Sequence, residues 1–184
     1  MVKYSSDKWT NISLQENYTA SPNIFGTIQN TFDKDPAALR QRNLTTNAFD
    51  IQIEEENSIS QDLSHLNTPV ALLSIENNVA LTDKDGNVFG ETGTVAVNSS
   101  WQTITAQNTY YNPIVIAGIP THQEDAPGIV RVKNVSANSF AIRFQEWNAE
   151  DGVHAAEQIS YMIIEGSIPS VSYTHLTLPT TPYV

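Results

Sequence analysis

The chain has 184 residues, of which 20 are acidic and 9 basic, so its formal net charge at pH 7 is −11. Because the few lysines and arginines form no stripe, the sequence argues against a nucleic-acid partner. Cysteine is absent, which excludes disulfide bonds, thiolate nucleophiles and cysteine-ligated zinc. The longest apolar stretch, Ile114 to Ile119, is far too short to cross a bilayer, so no membrane insertion is predicted.

Short apolar runs in the first half of the chain alternate with polar residues or cluster between Asn, Pro, Gly and Ser, a pattern typical of β-strands. The predicted strands of this half are 24–28, 39–43, 49–53 and 70–75. Asn43 to Asn47 lies between two of them and predicts a hairpin, because asparagine tolerates left-handed backbone. We interpret the N-x-S/T sequons at Asn43 and Asn134 as turn chemistry rather than as glycan acceptors.

The middle of the chain contains the segment Asp83-Lys84-Asp85-Gly86-Asn87. Its Asp-Gly pair stands between apolar flanks and predicts a second hairpin. Oxygen side chains at alternate positions also leave calcium binding open. The glycine is misplaced for an EF-hand loop, however, and no glutamate stands at the twelfth position, so the hairpin is the favoured interpretation.

The second half of the chain repeats the first. Its predicted strands are 94–98, 101–106, 114–119, 129–133, 140–144 and 159–164. With an offset of 91, the residues that recur are Pro36, Arg40, Asn43, Asn47, Phe49, Glu55 and Asn57, as Pro127, Arg131, Asn134, Asn138, Phe140, Glu146 and Asn148. After a two-residue gap, His65 recurs as His154. Because no apolar stripe holds a helical period, this repeat predicts an all-β fold of two tandem antiparallel β-sandwich modules.

The second copy carries an ordered set of motifs. They are Glu91-x-Gly93, Trp101, Tyr111-Asn112-Pro113, Asn134 to Phe140, Trp147 and Ile159 to Ile163. The pattern resembles the H-type lectin domain, and more closely the tandem H-type-like repeats of large secreted bacterial proteins. The motifs RQRN, QEEE and a histidine of those repeats are matched by Arg40 to Asn43, Ile53 to Glu56 and His65. The resemblance covers residues 9–76 and 91–166, and it implies a six-stranded sandwich that often trimerises and binds N-acetylgalactosamine-type sugars near subunit boundaries.

Four segments are predicted along the chain. Residues 1–76 form an H-type-lectin-like repeat that is incomplete at its N-terminus, 77–90 form a linker hairpin, and 91–168 form the second repeat. Residues 169–184 are expected to be a non-native tail, because 171–180 has no counterpart in the repeat and looks like a translated sequencing adapter. The alternative is a natural Thr/Pro-rich linker. We expect the chain to be a piece of a longer exported protein, extracellular or on the cell surface.

A carbohydrate-binding site is predicted in the second module. Its candidate residues are Glu146, Trp147, Asn148, Asp151 and His154. The resemblance implies that Trp147 contacts sugar, and an exposed indole face with convergent polar groups suits a small polar ligand. The alternative is that Trp147 lies in the core. Its counterpart in the first copy is Glu56, and a core position rarely exchanges Trp for Glu, so a surface or interface role is favoured.

Two departures from the lectin pattern favour a rival hypothesis. The sugar-binding arginine of the family falls on Pro127, and the loop between Trp101 and Tyr111 is short. The rival hypothesis is a structural or adhesive repeat, whose modules assemble with one another or space other domains without binding sugar. The predicted partners are therefore a glycan or polysaccharide, or neighbouring repeats and further copies of the chain.

No catalytic residue, metal site or cofactor is predicted. Glu54, Glu55 and Glu56 are interpreted as a solvated strand end rather than as paired catalytic carboxylates. His65 and His154 are interpreted as loop histidines that bond to the backbone, since one histidine per module supplies too few ligands for a metal ion. An enzyme is the least favoured class, because the sequence contains no nucleophile motif or phosphate loop.

Overall fold

A computed structural model describes residues 1–30, 32–58 and 63–166 of the chain. These residues form thirteen β-strands. The strands of the first half are β1 (Val2–Ser5), β2 (Thr10–Ser13), β3 (Asn23–Ile28), β4 (Ala37–Arg42), β5 (Ala48–Glu55) and β6 (Thr68–Ile75). Those of the second half are β7 (Ala80–Thr82), β8 (Val88–Val97), β9 (Gln102–Thr105), β10 (Pro113–Ala117), β11 (Gly128–Ser136), β12 (Ser139–Glu146) and β13 (Glu157–Glu165).

The first module is a sandwich of two three-stranded sheets, with strand orders β1-β6-β3 and β2-β5-β4. All strand pairs in it are antiparallel. Alternate residues of β5, Phe49, Ile51 and Ile53, are fully buried and meet Ile24 and Val70 from the opposite sheet. Period-two alternation places one face of each strand in the core, as the sequence pattern predicts.

The second module has the same plan, with sheets β10-β13-β8-β7 and β11-β12-β9. Its core contains Phe140 and Ile142 from one sheet and Val97, Ile159 and Ile163 from the other. The antiparallel pairing matches that of the first module strand for strand, with β7 added at an edge. The predicted all-β sandwich fold is therefore confirmed.

The predicted hairpins are also confirmed. Asn43 and Asn134 have φ angles of 52° and 51°, in the left-handed region that asparagine tolerates. Gly86 has a φ of 84° in the turn between β7 and β8. The carboxylate of Asp83 accepts hydrogen bonds from the backbone of Asp85 and Asn87, so it acts within the turn.

Other predictions of local structure need correction. The strand expected at 114–119 ends at Ala117. The N–H of Gly118 still donates to Ser160 of β13, whereas that of Ile119 donates to Ile24 of the first module. Strands β1, β2 and β7 were not among the predicted strands. The tail predicted at 169–184 lies outside the described residues. The described residues contain no helix that is long and apolar enough to cross a membrane.

Candidate functional site

The structure separates the five predicted sugar-binding residues into two groups. Asn148 and Asp151 are exposed in the turn after β12. Glu146 and His154 are buried, 6% and 3% exposed, and the Nδ1 atom of His154 lies 2.9 Å from Oε1 of Glu146. Trp147 is half-buried, and its Nε1 is shielded from solvent with no hydrogen-bond partner among the described residues. The sugar-binding role of this set stays a prediction.

Trp147 was expected to be exposed because its counterpart in the first module is a glutamate, Glu56. The structure corrects the assumption that Glu56 is exposed. Glu56 is only 4% exposed, so this position is largely buried in the first module as well. In both modules its backbone N–H donates to a proline carbonyl, Pro36 in the first and Pro127 in the second. The exchange of Trp for Glu therefore does not by itself indicate an exposed position.

The two recurring histidines are bonded to carboxylates and not to the backbone, so the earlier interpretation is wrong. The Nδ1 of His65 lies 2.8 Å from Oε1 of Glu55, as that of His154 lies beside Glu146. A further acidic side chain, Asp33 or Glu124, accepts the backbone N–H of the residue that follows each histidine. Each cluster offers a donor set that a divalent ion could use. Because Nδ1 of each histidine already bonds to a carboxylate of its own cluster, we assign both clusters a structural role.

The three consecutive glutamates are buried, which corrects their interpretation as a solvated strand end. Glu54 bonds to Arg40, Glu55 bonds to His65, and Glu56 accepts the backbone N–H of Ser58. Successive residues of a strand point to opposite faces. Consequently Glu55 points into the first module, while Glu54 points outward to the second.

The two modules meet along a close interface, which we call the joint. Ile119 of the second module donates its N–H to the carbonyl of Ile24 at 3.0 Å, and its side chain belongs to the core of the first module. The N–H of Gln41 donates to the carbonyl of Pro120 at 2.9 Å. The Gln41 amide also donates to the carbonyl of Ile119. Backbone pairing and a shared core together fix the orientation of the modules.

Arg40 lies at the centre of the joint. Its side chain is fully buried and extends from β4 of the first module into the second. The guanidinium donates to Glu54 of its own module at 3.0 Å and to Glu157 of the other at 2.6 Å. It also donates to the carbonyl of Thr121 at 2.8 Å and lies 4.9 Å from the ring centroid of Phe144. A buried cation with this many partners ties the modules through charge as well as packing.

A chain of hydrogen bonds continues from Arg40 into the second module. The carboxylate of Glu157 contacts Nε2 of His154 at 3.0 Å, and the other ring nitrogen contacts Glu146. Burial alone lowers the pKa of His154, but its hydrogen bonds to Glu157 and Glu146 raise that pKa above the ordinary value overall. Burial alone raises the pKa of Glu157, but hydrogen bonds from His154 and Thr121 and the charge of Arg40 lower it overall. Both shifts favour the charged form of the group concerned.

The first module lacks the acceptor end of this arrangement. At the offset of His65 to His154, the counterpart of Glu157 is Thr68, whose hydroxyl lies 3.4 Å from Nε2 of His65. A threonine hydroxyl has no negative charge, so Thr68 cannot form an ion pair with an arginine of another module. The joint therefore combines the arginine of the first module with the carboxylate of the second.

A cleft of about 400 Å³ opens beside the joint. It is lined by Asp7, Trp9, Gln52, Ile53, Glu54, Glu55, Asn57, Leu63, His122, Asp125 and Pro127. The edge of His122 packs against Trp9 with ring centroids 5.3 Å apart, while Arg42 covers the Trp9 ring at 4.2 Å. The predicted Trp147 segment borders the cleft, because Trp147 bonds to Pro127 and Asn57 donates to Glu150.

Three shielded oxygen atoms belong to residues that line this cleft. They are Oε1 of Gln52, Oε2 of Glu55 and Oδ1 of Asn57, and none has a hydrogen-bond partner among the described residues. Buried polar atoms are nearly always satisfied, and ordered water is the usual partner of such acceptors. The sequence did not predict this cleft, since Trp9 and Asn57 are far apart in the first module and His122 reaches them only through the joint.

Comparisons with known proteins give one distant relative. No family model matches the chain, and no solved structure matches it significantly. Over 129 residues, 68% of this chain, the sequence is 26% identical to a protein of Haloquadratum walsbyi named Halomucin. The aligned region is 1% of the length of Halomucin, so the chain spans a very small part of that relative.

Proposed function

We propose that the chain is a two-module segment of a long exported protein, extracellular or on the cell surface, whose modules are non-catalytic structural or adhesive repeats. The observation that carries this proposal is the buried Arg40, which spans from one module to the other. A flexible tether between independent domains does not need a shared core and a buried ion pair. The joint therefore favours modules that are held in a fixed relative orientation.

The similarity to Halomucin supports the proposal in two ways. The aligned 129 residues exceed the length of either module, so the similarity extends across the joint. The matched region is also a minute part of a much longer protein, as expected for one unit of a repeat array. The resemblance to tandem H-type-like repeats points to the same kind of parent protein.

The rigidity of the joint tests this function. Because the chain has no cysteine, Thr46→Cys and Ala137→Cys can carry spin labels at equivalent exposed turns of the two modules. We expect a single narrow distribution of label-to-label distances. Arg40→Met should broaden it, whereas Lys84→Met, which removes an exposed cation of the β7–β8 turn, should not. A broad distribution in the unaltered joint would contradict the structural function.

We infer carbohydrate binding as a second candidate function, located in the cleft beside the joint. The favouring observation is that an indole, Trp9, and polar side chains such as Gln52 and Asn57 line the same cleft. A volume of about 400 Å³ lies in the range of small-ligand sites. The neighbouring Trp147, Asn148 and Asp151 would then form the rim of the same site, in line with the lectin resemblance.

Titration with N-acetylgalactosamine-terminated oligosaccharides tests this second function. We expect Trp9→Ala to weaken binding by roughly tenfold or more, equivalent to about 1.4 kcal/mol, because the apolar platform is lost. Trp147→Ala should weaken binding to a smaller degree. Trp101→Ala is the matched control, since Trp101 lies outside the cleft under Lys133. Unchanged affinity in both the Trp9 and the Trp147 variants would rule out sugar binding at this site.

A further inference from the structure

The outer face of the sheet β11-β12-β9 in the second module corresponds to the face by which the first module binds the second. Arg131 is the counterpart of Arg40 at the offset of 91. Arg40 is fully buried, whereas Arg131 is exposed. At the neighbouring edge of the other sheet, Asn23 of β3 is fully buried, while its counterpart Ile114 of β10 is 51% exposed. The second module thus presents an open copy of a face that is covered in the first.

This open face carries a concentration of positive charge in an acidic protein. Arg131 and Arg143 stand directly opposite each other in the β11–β12 register, a like-charge pairing that is unfavourable without an anion. Lys133 and Arg143 lie 4.1 and 4.8 Å from the ring centroid of Trp101. None of the three cations has a carboxylate partner among the described residues. Three of the nine basic residues of the chain therefore lie unneutralised on one face.

The first module differs on this face in a specific way. There, Arg42 pairs with Asp50 and Arg40 pairs with Glu54. At the same offset, the second module has Ala141 in place of Asp50 and Gln145 in place of Glu54. Both local carboxylates are absent, and Nε of Arg143 is shielded without a partner. A carboxylate that pairs with this face therefore has to come from outside the sheet β11-β12-β9.

The geometry points to one occupant: a further module of the same repeat, which docks on the second module through Arg131 as the second module docks on the first through Arg40. Such a module supplies the carboxylate that corresponds to Glu157 and the segment that corresponds to 118–124, both of which receive Arg40 in the existing joint. The array therefore grows in one direction, with the arginine face of each module covered by the next module. This inference rests on the proposed structural function and extends it to a third module.

A three-module chain tests the inference. Residues 1–165 are followed by a second copy of 77–166, so that Glu165 precedes the new module as Glu76 precedes the existing one. Spin labels on Ala137→Cys and on the same position of the added copy measure the new joint, and labels on Thr46→Cys and Ala137→Cys measure the old one. We expect distributions of the same mean and width for both joints.

Two variants test whether Arg131 pairs with the residue of the added copy that corresponds to Glu157. Arg131→Glu should abolish the narrow peak of the new joint and leave that of the old joint intact. Glu157→Thr in the added copy introduces the residue that the first module has, and it should have the same effect. Lys84→Glu is the control for Arg131→Glu, because it makes the same change of net charge in the exposed β7–β8 turn.

The outcomes separate this inference from the proposed function. If both joints are broad, the structural function itself fails. If the old joint is narrow and the new one is broad, or if neither variant disturbs the new joint, only the docking of a further module is wrong. Binding of polygalacturonate to the two-module chain through Arg131, with no docking of the third module, would assign the face to an anionic glycan and overturn the inference.

Discussion

Replacing Arg40 by methionine should lower the free energy of unfolding by about 3–5 kcal/mol, the usual cost of removing one partner from a buried ion pair. Methionine retains most of the aliphatic packing but leaves the fully buried Glu157 without its cation. Glu157 would keep its contacts with His154 and Thr121, but its carboxylate would lose the guanidinium that pairs with it in the joint. Urea unfolding at neutral pH, followed by far-ultraviolet circular dichroism, measures the loss.

The matched control is Arg131→Met, the same substitution at the same position of the repeat. Because Arg131 is exposed and has no ion-pair partner among the described residues, we expect a change within about 0.5 kcal/mol. The double variant Arg40→Met/Glu157→Gln should recover part of the stability, since it removes the stranded charge as well. Equal effects at Arg40 and Arg131 would show that the joint contributes nothing to stability.

The repeat made the sandwich predictable because the two copies share the residues that build it. Phe49 and Phe140 are both fully buried, and Asn43 and Asn134 both adopt left-handed backbone at the same hairpin. Turn chemistry and period-two burial are local properties, so they can be predicted from each copy separately. The match of these pairs at one offset then indicates two modules of one fold.

The joint could not be predicted by the same comparison. Arg40 and Arg131 are the same residue at the same position, yet one is buried and the other exposed, because burial depends on the neighbour that follows. The sequence signal for the joint is a difference between the copies: Thr68 in the first stands where the second has Glu157, the partner of Arg40. The prediction of strands does not use such differences. Acidic residues are usually exposed, and those that are buried, like Glu157, are usually paired with an opposite charge.

The buried glutamates were misjudged for a related reason. A run such as Glu54 to Glu56 is usually solvated, and only partners distant in sequence make burial acceptable. Glu54 needs Arg40 and Glu55 needs His65, and the folded backbone brings both pairs together. The recurrence of His65 as His154 was the available clue, since a histidine kept between copies with its glutamate suggests a buried pair.

Replacing Glu91 by leucine should destabilise the second module by about 2–4 kcal/mol, because buried donors that lose their acceptor cost about 1–3 kcal/mol each. Glu91 is 1% exposed, and its carboxylate accepts the backbone N–H groups of Gln107 and Asn108 and the hydroxyl of Tyr110. Burial, followed by the hydrogen bond to Glu91, raises the pKa of Tyr110, so its hydroxyl stays protonated and donates. The motif Glu91-x-Gly93 thus anchors the loop that follows β9.

Two further variants separate hydrogen bonding from charge at this position. Glu91→Gln keeps one acceptor oxygen but presents an NH₂ group to the remaining donors, so its loss should lie between those of the leucine variant and the wild type. Glu16→Gln, at an exposed site of the first module, should change stability by less than about 0.5 kcal/mol. If Glu91→Leu unfolds at the same urea concentration as the wild type, the loop 106–110 does not depend on this carboxylate. In that case the structural role of the motif would rest on Gly93, where a Cβ atom would stand 2.5 Å from the ring of Tyr161.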